Sequence, residues 1–345
     1  MSGTCLVAKS RESANATTAV LLMNLGTPAS PTTRAVRRYL SAFLSDRRVV
    51  DLPHALWLPL LHLFILNTRA RRSARKYAKI WLDGENGGSP LQVYTAAQAA
   101  VLQEHFQLAG RPLQIAYAMR YGKPSLDEQM DKLLAQGTKR LLLLPLYPQY
   151  ASSTTASCVD ALCASLKKRR NQPEFRLLRD YHDHPQYIAA LASSVRRHWQ
   201  KCGGLGDGGR LLMSFHGLPQ RHCELGDTYY DECLSSARLL ATELGIAEQQ
   251  YALSFQSRFG WAKWLQPSTI STLSEWGKQR LGRVDVLCPG FACDCLETLE
   301  EIAIEARQCF LSNGGAEYHY IPAMNADPRW ISALAAIVGE QLDGW

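Results

Sequence analysis

Leu211-Leu212-Met213-Ser214-Phe215-His216-Gly217-Leu218-Pro219 is an apolar run that ends on an imidazole, a glycine and a proline. A run of this kind reads as a strand buried on both faces, and such strands belong to parallel sheets covered by helices. Leu21-Leu22-Met23-Asn24-Leu25-Gly26-Thr27-Pro28 repeats it early in the chain. More pairs follow in the same order: 116–122 with 253–260, 141–145 with 285–289, and 175–181 with 318–324. The same 34 residues separate Leu141 from Phe175 and Val284 from Tyr318. A proline-led segment then closes each set, Pro185-Gln186-Tyr187-Ile188-Ala189-Ala190-Leu191 and Pro328-Arg329-Trp330-Ile331-Ser332-Ala333-Leu334. Five ordered echoes indicate duplication.

Helical segments such as 125–136 and 228–244 alternate with these strands. The pattern predicts an α/β protein of two Rossmann-like halves, each a four-stranded parallel sheet flanked by helices, related by internal pseudo-duplication. The halves are expected at 17–182 and 183–345, the last helix packing back on the first half. An extra stretch at about 36–93 interrupts the first half and suits a lid or binding wall.

Sheets of this kind do their chemistry at the carboxyl ends of strands. One such end delivers His216. The strand 284–287 empties into Cys288-Pro289-Gly290-Phe291-Ala292-Cys293-Asp294-Cys295-Leu296-Glu297. A helix over 296–305 would set Glu297 and Glu301 on one face, a turn of about 5.4 Å apart. Carboxylates so placed repel, which raises the pKa of one unless a cation sits between them. Glu300 reads as an acidic complement to the helix dipole. His54, His62, His182, His184 and His222 read as surface or loop histidines.

With 345 residues, 46% hydrophobic, the chain is long enough for two domains with full cores. It holds no apolar run long enough to span a membrane as a helix. The start Met1-Ser2-Gly3-Thr4-Cys5 has no apolar signal core, so a cytoplasmic protein is expected, its tail frayed to about Ala16. Ten cysteines then suggest reduced thiols or metal ligation. The net charge of +7 is uneven, with basic clusters at Arg69, Arg71, Arg72, Arg75, Lys76 and Lys79 and at 167–170. The first follows an apolar stretch, 52–66, whose prolines 53 and 59 make it a poor core helix. An apolar lip beside a basic patch, over 52–79, suits peripheral contact with an anionic membrane face, or an apolar ligand with acidic groups. No nucleic-acid groove is indicated, and no glycine-rich phosphate motif follows a strand, so no nucleotide is expected.

The motifs Ser214-Phe215-His216-Gly217-Leu218-Pro219, Phe255-Gln256-Ser257-Arg258 with Trp264-Leu265-Gln266-Pro267, Tyr147-Pro148-Gln149-Tyr150 with Ser153-Thr154-Thr155, and 288–301 together resemble the ferrochelatases. These lyases of haem biosynthesis insert ferrous iron into protoporphyrin IX. The resemblance covers about 20–342 and implies two Rossmann-like domains facing a porphyrin cleft. It implies that His216 and Glu297 form the iron site and carry the chemistry, with Asp294 and Glu301 on an acidic track. It places Trp264, Arg120, Tyr121, Ser89, Arg72 and Leu25 at the porphyrin. Some relatives have histidine where Cys295 stands.

Some ferrochelatases hold a [2Fe-2S] cluster through a C-terminal extension and a cysteine after the Tyr-Pro-Gln-Tyr motif. Here Ser152 and Ser153 occupy that neighbourhood and no cysteine follows Cys309. Other members use internal ligands, for which Cys223, Cys233 and Cys293 are the candidates. Two alternatives stand beside iron insertion into protoporphyrin: a chelatase for another tetrapyrrole such as coproporphyrin, or a non-catalytic haem or metal carrier on the same fold.

Overall fold

The computed structural model describes residues 17–84, 87–258 and 262–345. The tail to Ala16, and Phe259-Gly260 at the end of one echo, lie outside them. Each apolar run forms a strand: β1 (Thr17–Gly26), β2 (Gln114–Tyr121), β3 (Thr138–Pro145), β4 (Glu174–Leu177), β5 (Arg210–His216), β6 (Tyr251–Gln256), β7 (Arg283–Leu287) and β8 (Glu317–Tyr320). They make two four-stranded sheets of the same order, β2-β1-β3-β4 and β6-β5-β7-β8, parallel at every junction. The 34-residue spacing has a direct cause. Leu141 lies opposite Phe175, and Val284 opposite Tyr318, at equivalent positions of the two sheets. The central strands are shut off from water: Ala19 to Met23 and Leu211 to Phe215 are 0% exposed.

Helices begin and end where capping chemistry directs. Ser125 caps Leu126–Ala135, its hydroxyl accepting from the Glu128 N–H while Glu128 accepts from the Ser125 N–H at 3.0 Å. Tyr229–Leu244 stops at Gly245, whose φ of 71° costs glycine little. Pro185–Cys202 and Pro328–Leu342 follow the fourth strand of each sheet, where the proline-led echoes stand. Pro328–Leu342 packs on both Pro185–Cys202 and Pro90–Leu108, a helix of the first half. Tyr187 meets Tyr181 and Trp330 edge to face there, at centroid distances of 5.4 and 6.1 Å. One apolar core runs through both sheets, from Val20 and Leu142 to Met213 and Phe215.

The inserted stretch is helical: Thr33–Leu44, His54–Leu60 and Leu66–Ile80, with a π turn, Leu61–Ile65, joining the last two. Pro59 therefore lies inside a helix, against expectation. The chain tolerates its missing N–H by widening to i→i+5 bonding just beyond it. Trp57 and Leu61 face inward, Trp57 Nε1 donating to the Leu44 carbonyl at 2.6 Å. Leu56, Leu63 and Phe64 face out, each more than 60% exposed. Among the described residues, no helix is long and apolar enough to cross a membrane.

Candidate functional site

His216 ends β5 opposite Gln256, the last residue of β6. The following Gly217 donates its N–H to the Gln256 carbonyl at 2.7 Å. A Cβ on Gly217 would stand 2.5 Å from that oxygen and 3.2 Å from Trp264 Cε3, so only glycine lets the indole lie here, one residue from His216. The indole is held in place from the backbone as well. Gln220 N–H donates to the Lys263 carbonyl at 2.8 Å, and Leu265 N–H to the Leu218 carbonyl at 2.9 Å. Phe291 presents its ring edge-on to the imidazole, 6.3 Å between centroids. His216 is half-buried, and its Nδ1 is buried without a hydrogen-bond partner. Burial pulls its pKa below the ordinary histidine value, against the opposing field of the Glu297 carboxylate. The imidazole is thus neutral at pH 7, with a lone pair to offer.

Glu297 opens a π-helix, Glu297–Ala306, where the spacing predicts an ordinary helix. Gln256 ties this turn to the strand that carries His216. Its Nε2 donates to the Glu297 carbonyl at 2.8 Å, while its Oε1 accepts from Ser214 Oγ at 2.8 Å. Glu301 accepts a hydrogen bond from Ser257, a non-glycine residue held at φ 66°. Burial, and then the charge on Glu297, push the Glu301 carboxyl up to about 7. Repulsion between two carboxylates four residues apart therefore appears as the spacing implies. Arg69, from the inserted helix Leu66–Ile80, sets its positive charge within the field of both. Tyr39 and Tyr77, buried on inserted helices, also feel the Glu297 charge. Leu25, at the end of β1, packs against two apolar clusters, one also covered by Leu296 and Leu299 and the other by Phe291. Glu297 and His216 thus share one electrostatic neighbourhood where the second half meets β1 and the insertion.

Other candidates are set differently. Asp294 is buried inside its own loop. Its Oδ1 accepts from Tyr320 Oη at 2.5 Å, Thr298 Oγ1 at 2.9 Å and Ala323 N–H at 3.3 Å, and its Oδ2 from Asn325 Nδ2 at 2.8 Å. Those bonds shape the loop and leave the carboxylate little to offer a mobile cation. Glu300, expected as a dipole complement, is fully buried and paired with Lys76 at 2.7 Å and Lys79 at 3.0 Å. Arg120 is engaged with Asp46 at 2.6 Å and Ser157 Oγ at 2.7 Å, and Tyr121 donates to the same Asp46 oxygen at 2.6 Å. Both line an open recess with Ala42, Ser45 and Arg47. Ser89 is buried just ahead of Pro90–Leu108, and Arg72 is exposed on the inserted helix.

The three candidate cysteines do not gather. Cys223 and Cys233 pack with the main core, whereas Cys293 lies with Leu91 and Cys295, its sulfur accepting from Gln98 Nε2 at 3.1 Å. Burial pushes the Cys293 thiol up to about 12, and raises those of Cys223, Cys233 and Cys295 as well. Cys293 thus stands apart from Cys223 and Cys233, so the three do not form one ligand set in this fold.

Sequence reading left Gln256, Ser257, Tyr39 and Tyr77 without roles and saw Arg69 only as part of a charge run. The signal for the first two was present: Phe255-Gln256-Ser257-Arg258 ends the strand beside the one that carries His216.

Twin four-stranded parallel sheets of one strand order, flanked by helices, define a chelatase-type fold. The chain superposes on SirB from Bacillus subtilis, described with Fe3+, at a TM-score of 0.57 and 11% identity over 95% of this chain and 96% of that one. It superposes on CbiX, described as the terminal enzyme of sirohaem biosynthesis in denitrifying bacteria, at 0.53 and 15% over 94% and 100%. At such identities the likeness is one of fold. Within that class the chain belongs to the ferrochelatase family, whose sequence pattern matches residues 17–342. It is 55% identical to the ferrochelatase of Dechloromonas aromatica (strain RCB) over 96% of this chain and 89% of the relative, and 52% identical to that of Janthinobacterium sp. (strain Marseille) over 95% and 88%.

Proposed function

We propose that this member of the ferrochelatase family, a lyase that places iron in a porphyrin, acts on protoporphyrin IX through His216 and Glu297. The observation that carries the reading is the neutral, half-buried imidazole with an unpartnered Nδ1, held within the field of Glu297 where the halves meet.

Metallation removes two pyrrole protons while a hydrated ferrous ion sheds water. A flat macrocycle resists both steps, because its nitrogens point inward. Binding energy from the rest of the ring can pucker it, exposing a lone pair and a departing proton. A neutral imidazole beside the ring accepts that proton, and burial keeps His216 in the unprotonated form the transfer needs. Glu297 and Glu301 supply hard oxygen donors for the ferrous ion, and the raised Glu301 pKa lets that group pass protons on at neutral pH. Trp264 and Leu25 offer apolar surface to the ring. Asp294, with its oxygens engaged in the loop, serves to aim the turn that presents Glu297.

The outward face of the insertion, Leu56, Leu63 and Phe64 beside exposed Arg71, Arg72 and Arg75, supports peripheral contact with the cytoplasmic face of an anionic membrane. That contact favours protoporphyrin, the more apolar substrate, over coproporphyrin. The separation of Cys293 from Cys223 and Cys233 gives no support to an iron–sulfur cluster on these three residues.

Anaerobic incubation with ferrous iron and each porphyrin, followed as loss of porphyrin fluorescence, tests the reading. Protoporphyrin should be consumed faster than coproporphyrin. His216→Ala and Glu297→Gln should each lower kcat by about 10²–10⁴-fold, the usual worth of a positioned acid–base group. Near-normal turnover in both variants would sink the assignment, and no turnover by the parent chain would favour a carrier.

A further inference from the structure

The helix Pro185–Cys202 ends against β8, the edge strand of the second sheet, and three metal-ligating side chains converge there. His198 and Cys202, four apart on one helical face, meet His319 of β8. One ligand atom from each, two ring nitrogens and a sulfur, lies within 4.8 Å of the others. The two imidazoles stand 5.6 Å apart between centroids, and His198 Nε2 is buried with no hydrogen-bond partner. Cys202 is exposed, so an ion can enter from solvent.

The surroundings fix the backbone of this site. Arg283 donates to the carbonyls of Cys202 at 2.9 Å and Gly203 at 2.7 Å, fixing the end of the helix. Trp199 Nε1 donates to Asp285 at 2.7 Å, docking the same turn on β7, and Asp285 lies opposite His319 in the sheet. The Arg283 charge, which would repel a cation, is balanced by Asp285, with Nε at 2.9 Å from its carboxylate. Glu317 places an oxygen 3.5 Å from His319 Nε2, where it can orient that ring or complete the set.

We propose that His198, Cys202 and His319 form a zinc-type site, separate from the slot, that clamps the helix joining the two halves to the exposed edge of the second sheet. Two imidazoles and a thiolate with an open fourth position suit Zn2+. The Irving–Williams order places Zn2+ above Fe2+ for such a site, so the clamp need not compete for the iron destined for the porphyrin. On binding, Cys202 gives its proton to solvent as the sulfur–metal bond forms. The site lies toward the start of β7, whereas His216 stands at the carboxyl end of the neighbouring β5, so the clamp is at the opposite end of the sheet from the chemistry.

The test uses the full chain, a thiol-free reductant and Co2+ as a spectroscopic stand-in, followed by Zn2+ competition. The parent should show a sulfur-to-cobalt charge-transfer band, displaced by Zn2+, and a Zn2+-dependent rise in Tm. Cys202→Ser removes only an exposed sulfur, so it should fold and insert iron like the parent. It should lose the band and the Tm rise, and bind Zn2+ weaker by ~100-fold or more, at or beyond the upper end for an outer-shell change. His319→Ala should do the same. Iron insertion is read separately by porphyrin fluorescence, so failure here is distinct from failure of the catalytic reading. Absence of a charge-transfer band in the parent, or its survival in Cys202→Ser, would overturn the clamp.

Discussion

Glu301 carries a charge penalty whose sign can be worked out. A free glutamate titrates near ~4.3, whereas in the fold this carboxyl stands at about 7, through burial first and Glu297 second. Below pH ~4 both folded and unfolded chains hold the proton, and the residue costs nothing. As pH rises toward 7 the unfolded chain ionises first, so the fold loses stability, and above 7 the full penalty, on the order of 3 kcal/mol, is in place. Glu301→Gln keeps an acceptor for Ser257 and removes the charge. In metal-free protein this variant should melt a few degrees above the parent at pH 8 and level with it at pH 4, while inserting iron more slowly. Thermal melts across that range decide the matter: equal Tm values at pH 8 would mean the carboxyl is not held protonated by its site. The spacing of Glu297 and Glu301 announced this repulsion. What it could not announce was the partner, since Ser257 reaches Glu301 only through a left-handed backbone that no local residue preference favours.

At the level of elements, the insertion shows why charge and hydropathy runs are ambiguous in sequence. Arg69, Lys76 and Lys79 look alike as letters beside Arg71, Arg72 and Arg75, yet the helix Leu66–Ile80 turns the first set toward Glu297, Glu300 and Glu301 and the second toward solvent. Helical periodicity divides them once the inward face is known, and that face is set by Ala70, Ala74 and Tyr77, all buried. The prolines at 53 and 59 argued against a helix, and the π turn that absorbs Pro59 has no sequence signature. The outward face leads to a prediction about membranes. Burying a leucine or phenylalanine is worth about 1.5–3 kcal/mol, and each 1.4 kcal/mol is a decade in affinity. Replacing Leu56, Leu63 and Phe64 together with serine should therefore weaken co-sedimentation with anionic vesicles by more than tenfold and leave Tm nearly unchanged, since none of the three is buried. The remaining attraction of Arg71, Arg72 and Arg75 should fade with salt. Unchanged sedimentation in the triple variant would remove the lip from membrane contact.

Across the whole molecule, the duplicated strands were the most legible feature, because a strand buried on both faces must be apolar throughout and a duplicated crossover without an insertion keeps its length. Leu141 opposite Phe175 and Val284 opposite Tyr318 express that constraint in both sheets. The docking of the insertion on the second half was not legible, because it includes ion pairs between residues more than two hundred positions apart. Glu300, on the second half's π-helix, is closed off from water and, among the described residues, is answered by Lys76 and Lys79 of the insertion. A buried carboxylate with a cation missing is costly, about 3–5 kcal/mol when its pairing is broken outright, whereas a half-exposed lysine adds little by itself. The two lysines should thus behave as alternates. Lys79→Met, whose side chain is 52% exposed, should cost less than about 1 kcal/mol, and Lys76→Met somewhat more. The double variant should lose more than the sum of the two, because Glu300 is then buried with no cation beside it. The same loss loosens the insertion from the helix that bears Glu297, so the double variant should raise KM for porphyrin as well as lower Tm. Denaturation of the four proteins of this cycle measures the coupling, and strict additivity would show that Glu300 finds water or another cation when the lysines are gone.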